Sequence, residues 1–161
     1  MNIKILGAFA AVALLAACSS TPPATTAAST GTGTTTTAPS GPAPGSEEDL
    51  VANVGDRVFY AFNQSSLSDE AKATLERQAA WLAKYPQVSI QVAGNCDERG
   101  TEEFNLALGN RRATAAKDYL VAKGVDGSRL TTISYGKDKP TAVGSDEQAW
   151  AQNRNAISSV K

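Results

Sequence analysis

The sequence contains no histidine. That absence removes Ser-His-Asp and Cys-His catalysis and every histidine-ligated metal site. An excess of either charge is missing too: 15 Lys and Arg against 16 Asp and Glu leave a net charge of −1, which gives no support for nucleic acid as a partner. Only two cysteines occur, Cys18 and Cys96. Between Ser19 and Ser46 there is no charged residue and no large apolar one, only Ser, Thr, Pro, Ala and Gly. Such a stretch cannot bury enough surface to offset its chain entropy, so it is expected to be disordered. As a flexible coil it would span roughly 30 Å, more if its prolines stiffen it. The apolar run 5–17 is too short for a comfortable transmembrane helix and suits the core of a signal peptide.

What is present divides the chain in three. A positive opening, Met1-Asn2-Ile3-Lys4, leads into the apolar run, which ends in Leu15-Ala16-Ala17-Cys18. This ending resembles a bacterial lipobox. The resemblance implies cleavage after residue 17, acylation of Cys18 as the first mature residue and, with Ser19 next, export to the outer membrane. Several acyl chains give stable anchoring, since each buried methylene contributes about 0.8 kcal/mol. Residues 1–17 are thus expected to be a lipoprotein signal, 18–46 a lipidated linker and 47–161 one domain with a modest core. Cys96 is then alone in the mature chain and is read as a small packed residue rather than a reactive thiol.

Within 47–161 the patterns alternate. Residues 57–63 are rich in strand formers and end in turn residues. Ser68 caps a helix opened by Asp69 and Glu70, with Ala71, Leu75, Ala79 and Leu82 on one face and Pro86 ending it. Trp81 lies near that face and reads as core. A strand at 88–92 is followed by a charged loop, then by a helix at about 102–123 that Thr101 caps and Gly124 stops. A strand at 130–135, a short helix at 147–152 and a last strand at 155–160 complete the order β-α-β-α-β-α-β. That order predicts a two-layer α/β sandwich, with helices on one face of a mixed sheet.

The stretch Gly94-Asn95-Cys96-Asp97-Glu98-Arg99-Gly100 and the helix after it carry the chemistry. Leu106, Gly109, Ala113, Ala116 and Leu120 recur at helical spacing as one apolar and small-residue face. Asn105 and Arg112 fall on one flank of it, and Arg111 points to solvent. Arg112 can therefore turn back towards Asp97, forming a receptor for a zwitterion: Asp97 takes an ammonium and Arg112 grips a carboxylate. On pattern alone Arg112 suits a clamp on the Asp97 loop equally well. Glu98 and Arg99 read as a solvated ion pair. Asp97 and Glu98, adjacent on one loop, do not suit the paired carboxylates of glycan cleavage, which must flank a bond.

Gly-Asn-Cys-Asp-Glu-Arg-Gly-Thr followed by Asn-Leu-Ala-Leu-Gly-Asn-Arg-Arg-Ala resembles the peptidoglycan-binding signature of OmpA-like domains, in particular those of lipoproteins of the Tol-Pal system. The resemblance runs from about Val54 to the C-terminus. It implies a non-enzymatic protein without a cofactor that binds the meso-diaminopimelate stem of peptidoglycan non-covalently. Its lipid end would lie in the outer membrane and its domain in the periplasm. Implied partners are TolB and other Tol proteins; the implied role is envelope integrity and outer-membrane invagination at division. The positions carried across are Asp97 and Arg112 as principal contacts, with Arg99, Asn105, Leu108, Phe62 and Asn63 in support. Two depart from the pattern: Asn63 stands where an aspartate is common, and Asn95 where a histidine is. Asn153-Arg154 resembles the pair that precedes the last strand, and Arg154 is expected to be structural. Alternatives left open are a lipoprotein whose domain binds only a protein partner and a fragment of a porin or flagellar stator, the latter disfavoured by the lipobox.

Overall fold

The computed structural model describes residues 41–161. The expected signal segment, Cys18 and most of the linker lie outside the described residues.

Four strands form one mixed sheet: β1 (Arg57–Phe59), β2 (Ile90–Asn95), β3 (Leu130–Gly136) and β4 (Asn155–Val160), in the order β1-β4-β2-β3. β4 runs antiparallel to both neighbours, while β2 and β3 are parallel. A parallel pair needs a crossover, and the long helix α3 (Glu102–Ala122) supplies it. With α2 (Asp69–Lys84), α3 covers one face of the sheet, the two-layer arrangement that the order of elements predicts. The core between the layers holds Leu75 and Leu82 of α2, Ala113, Ala116 and Leu120 of α3, and Val58, Ile90, Val92, Leu130 and Ala156 of the strands. A short helix, α4 (Glu147–Asn153), leads into β4. Both expected caps form: Ser68 Oγ accepts from Ala71 N at 3.1 Å and Thr101 Oγ1 from Phe104 N at 3.2 Å.

Three local readings are corrected. The first strand ends at Phe59, not Asn63. Arg112 takes the carbonyls of Ala61 and Gln64, so residues 61–64 are drawn away from the sheet, and Asn63 turns into the left-handed region with φ of 56°. In α3 the buried face is made by Asn105, Leu108, Gly109, Arg112, Ala113, Ala116 and Leu120, whereas Leu106 is 38% exposed. The backbone of Leu106 packs directly on the edge strand β3, its carbonyl accepting from Ser134 Oγ at 2.7 Å, so its side chain passes beyond the sheet. Finally, α1 (Glu47–Asp49) and a π-helical turn, Leu50–Val54, precede β1 and carry no periodic signal. This N-terminal strap is fastened by Leu50, almost fully buried, and by Asp49, which accepts from Gly45 N, Asn53 Nδ2 and Trp81 Nε1 at 2.8–2.9 Å. Glu47 Oε2 accepts from Val160 N at the end of β4.

Two glycines set the approach of α3. A Cβ on Gly94 would lie inside the Gly109 carbonyl, and one on Gly109 would strike Ser134 Oγ and the Gly94 carbonyl. The backbones of β2 and α3 therefore touch, which only glycine permits. Directly after that contact the register of β2 shifts at Gly94/Asn95, and the chain leaves the sheet as the loop 96–101.

Candidate functional site

At the C-terminal end of β2 lies a pocket of about 160 Å³. Phe62, Asn63, Asp97, Arg99, Asn105, Leu108 and Arg112 all line it, so all seven residues implicated by the sequence converge on one cavity. Cys96, Gly100 and Phe104 also line it. Three segments supply these groups: the loop after β1, the loop after β2, and the first half of α3. Asn105 pins the second of these, its Nδ2 donating to Arg99 O at 2.9 Å and Thr101 O at 3.1 Å. Leu108, almost fully buried, gives an apolar wall.

Asp97 is 4% exposed, and its acceptor sites are full. Oδ1 accepts from Arg99 N at 3.2 Å and Arg99 Nε at 3.1 Å; Oδ2 accepts from Arg99 Nη2 at 2.7 Å and lies 3.4 Å from Arg154 Nη1. A carboxylate offers about four lone-pair sites. Burial pushes the Asp97 carboxyl up, but the donors of Arg99, then of Arg154, outweigh it and hold the group below the usual carboxylate range. Asp97 is thus held as an anion, the form that receives a cation.

Arg112 departs from its expected pose. It does not pair with Asp97. Its guanidinium, fully buried, donates from Nε to Gln64 O at 2.8 Å, from Nη1 to Asn95 O at 2.7 Å and from Nη2 to Ala61 O at 3.2 Å. Tyr60, its ring centroid 5.2 Å from the guanidinium carbon, donates its hydroxyl to Arg112 O at 2.9 Å. Three of five guanidinium N–H bonds thus hold the two pocket loops together. Burial lowers the pKa of Arg112. The flank assignment failed because Asn105 and Arg112 belong to the buried face itself, where a long side chain threads between loops instead of crossing the pocket.

Arg99 occupies the mouth. Its guanidinium carbon lies 4.1 Å from the centroids of both the Phe62 and Trp150 rings, and Nη1 stands 3.7 Å from Glu147 Oε2. Glu98 is not its partner, as the sequence suggested; Glu98 Oε1 instead accepts from Trp150 Nε1 at 3.0 Å. Arg154 bridges Asp97 and Glu147, with Nη2 at 2.8 Å from Glu147 Oε1, and donates Nε to Tyr60 O at 3.1 Å. Asn95 turns from the pocket and donates to Asn155 Oδ1 at 2.7 Å. Cys96 is buried and free, as expected, its Sγ 3.4 Å from Asn105 O. Sequence reasoning missed Glu147, Trp150 and Phe104; the first two lie far along the chain on α4, with no motif linking them to the loop.

A two-layer mixed sheet carrying an arginine-rich, carboxylate-floored pocket beyond its central strand defines a class, and residues 59–154 match it: the chain belongs to the OmpA family, a non-enzymatic family. The relatives narrow this. The chain is similar to the peptidoglycan-associated lipoprotein of Rhizobium meliloti (57% identity over 114 residues, 71% of this chain and 65% of that protein). It is also similar to the protein of the same name from Mesorhizobium japonicum (55% identity, covering 73% and 70%). The match thus spans about two thirds of the curated relatives' length. Among solved structures, the crystal structure of the peptidoglycan-associated lipoprotein from Burkholderia pseudomallei superposes with a TM-score of 0.64 at 42% identity, covering 66% of this chain and 90% of that one. The C-terminal domain of Helicobacter pylori MotB, at 22% identity and a TM-score of 0.62, shares the fold.

Proposed function

We propose that this chain is an outer-membrane lipoprotein whose domain binds the meso-diaminopimelate stem of peptidoglycan non-covalently, tethering membrane to wall. The observation that carries the reading is the convergence of Asp97, Arg99 and Arg112 on one small pocket, in a chain whose relatives are named for peptidoglycan. Diaminopimelate ends in an ammonium and a carboxylate on one carbon. Asp97 receives the ammonium. Arg99, with the positive charge of Arg112 in the pocket wall behind it, receives the carboxylate. Phe62, Leu108 and Asn105 enclose the methylene chain, and Asn63 accepts a hydrogen bond without adding charge.

The anchor at Cys18, a periplasm-facing domain, partnership with TolB and other Tol proteins, and a part in outer-membrane invagination at division complete the proposal. They rest on the lipobox and on the resemblance to Tol-Pal lipoproteins. Residues 18–46 set the reach between membrane and wall. Calorimetric titration with a diaminopimelate-containing muropeptide, beside one bearing lysine, tests the core of it. Lysine lacks the second carboxylate, so the first should bind and the second should not. Binding of neither would move the function to a protein partner.

A further inference from the structure

Every acceptor site on Asp97 is occupied by an arginine of this chain, and the arginine nearest the mouth, Arg99, has its guanidinium carbon 4.1 Å over each of two rings. Phe62 is more than half exposed and sits on a loop, whereas Trp150 stands on a helix and is fixed by its indole N–H on Glu98. Trp150 is therefore the better-held of the two rings. Both ring centroids stand 4.1 Å from the guanidinium carbon, close enough for each ring to attract the cation and limit its wandering.

An incoming ammonium reaches Asp97 only by taking the place of Arg99. Displacing a guanidinium from a buried carboxylate without giving it another partner is unfavourable. A ligand that carries its own carboxylate resolves this, because the released guanidinium finds that carboxylate beside it. We propose that Trp150 is a positioning residue: it keeps Arg99 between Asp97 and the pocket mouth, so that a zwitterion enters by exchanging one internal ion pair for two. The inference rests on the diaminopimelate reading above and adds to it a reason for discrimination. A lone ammonium leaves Arg99 only its 3.7 Å approach to Glu147; a zwitterion brings it a second carboxylate.

The test uses the detergent-solubilised full chain. In the unliganded protein, the Arg99 Nε–Hε resonance lies under two rings and is shifted upfield; in Trp150→Ala most of that shift is lost. With muropeptide, Trp150→Ala binds the diaminopimelate form about tenfold more weakly, and its preference over the lysine form shrinks. Trp150→Phe keeps a ring and restores most of both. In a Trp81→Phe background, the fluorescence of Trp150 changes as diaminopimelate ligand enters and not with lysine. A merely structural role for Trp150 would lower the melting temperature while leaving the preference intact, and that result would overturn the proposal. An unshifted Arg99 resonance in the free wild-type chain would also overturn it, while the peptidoglycan reading would stand. If the unmutated chain binds no diaminopimelate ligand, the peptidoglycan reading falls and takes this inference with it.

Discussion

Replacing Arg112 separates a ligand-gripping arginine from a loop-holding one. In Arg112→Ala three carbonyls lose a donor: Asn95 O, whose bond is wholly buried, Gln64 O, and Ala61 O, which keeps only its turn bond from Gln64 N. An unpaired buried acceptor costs about 1–3 kcal/mol. Water entering through the vacated side chain recovers part of this for Ala61 and Gln64, and removal of a buried cation offsets more. The net expectation is a loss of about 3–5 kcal/mol, which for a domain of this size lowers the melting temperature by roughly 15 °C or more. Arg112→Met keeps volume and removes charge; it should lose about as much, because the same three guanidinium donors are lost either way. Thermal and urea unfolding followed by far-ultraviolet circular dichroism measure it. If Arg112→Ala melts within about 3 °C of the wild type and fails only to bind muropeptide, the clamp argument is wrong, and the arginine serves the ligand alone.

Gly109→Ala drives a methyl group into Ser134 and the Gly94 backbone, so it should cost at least the 1–3 kcal/mol of an overpacked core; an unchanged urea midpoint would disprove backbone contact between α3 and β2. Asn63→Ala keeps a β-carbon at φ 56° but loses the short polar side chain that lets asparagine adopt that region, so its stability, read from the urea midpoint, should fall by up to about 1 kcal/mol, while that of Asn63→Gly should not. Asp49, held down to about 2 first by Gly45 N and then by Asn53 and Trp81, contributes stability that is complete above its ordinary value. That contribution is lost as pH falls towards 2, so the acid limb of a stability–pH curve should flatten in Asp49→Asn.

Long periodic elements were legible in the sequence because their burial pattern is local. α2, α3 and β4 follow from spacing and from Ser68, Thr101 and Gly124, whereas β2, read at 88–92, runs from Ile90 to Asn95, because its pairing with β3 continues through Ala93 and Gly94 past the alternating residues. The pocket was legible as a set of positions but not as a set of bonds. Asp97, Arg99 and Arg112 converge as the resemblance implied, yet which arginine meets the carboxylate depends on carbonyls far along the chain, at Ala61, Gln64 and Asn95. The same long-range pull shortened β1. Trp150 and Glu147 stayed hidden because only the return of β4 beside β2 carries α4 to the mouth of the pocket. The strap at 47–54 escaped because a helical turn and a π-turn are too short to show a period.

That strap and the pocket lie at opposite ends of β2. Glu47 grips Val160, which pairs with Ile90 at the start of the strand, and Asp97 follows its far end. β2 is an interior strand, flanked by β3 and β4, and about 20 Å long. A pull entering from the N-terminal side and resisted at the pocket runs lengthwise down this strand. Its ladders on both sides are then loaded in shear, many hydrogen bonds at once, instead of being peeled one by one. Under the proposed tethering role the domain is built as a shackle, with the load running along its ladders.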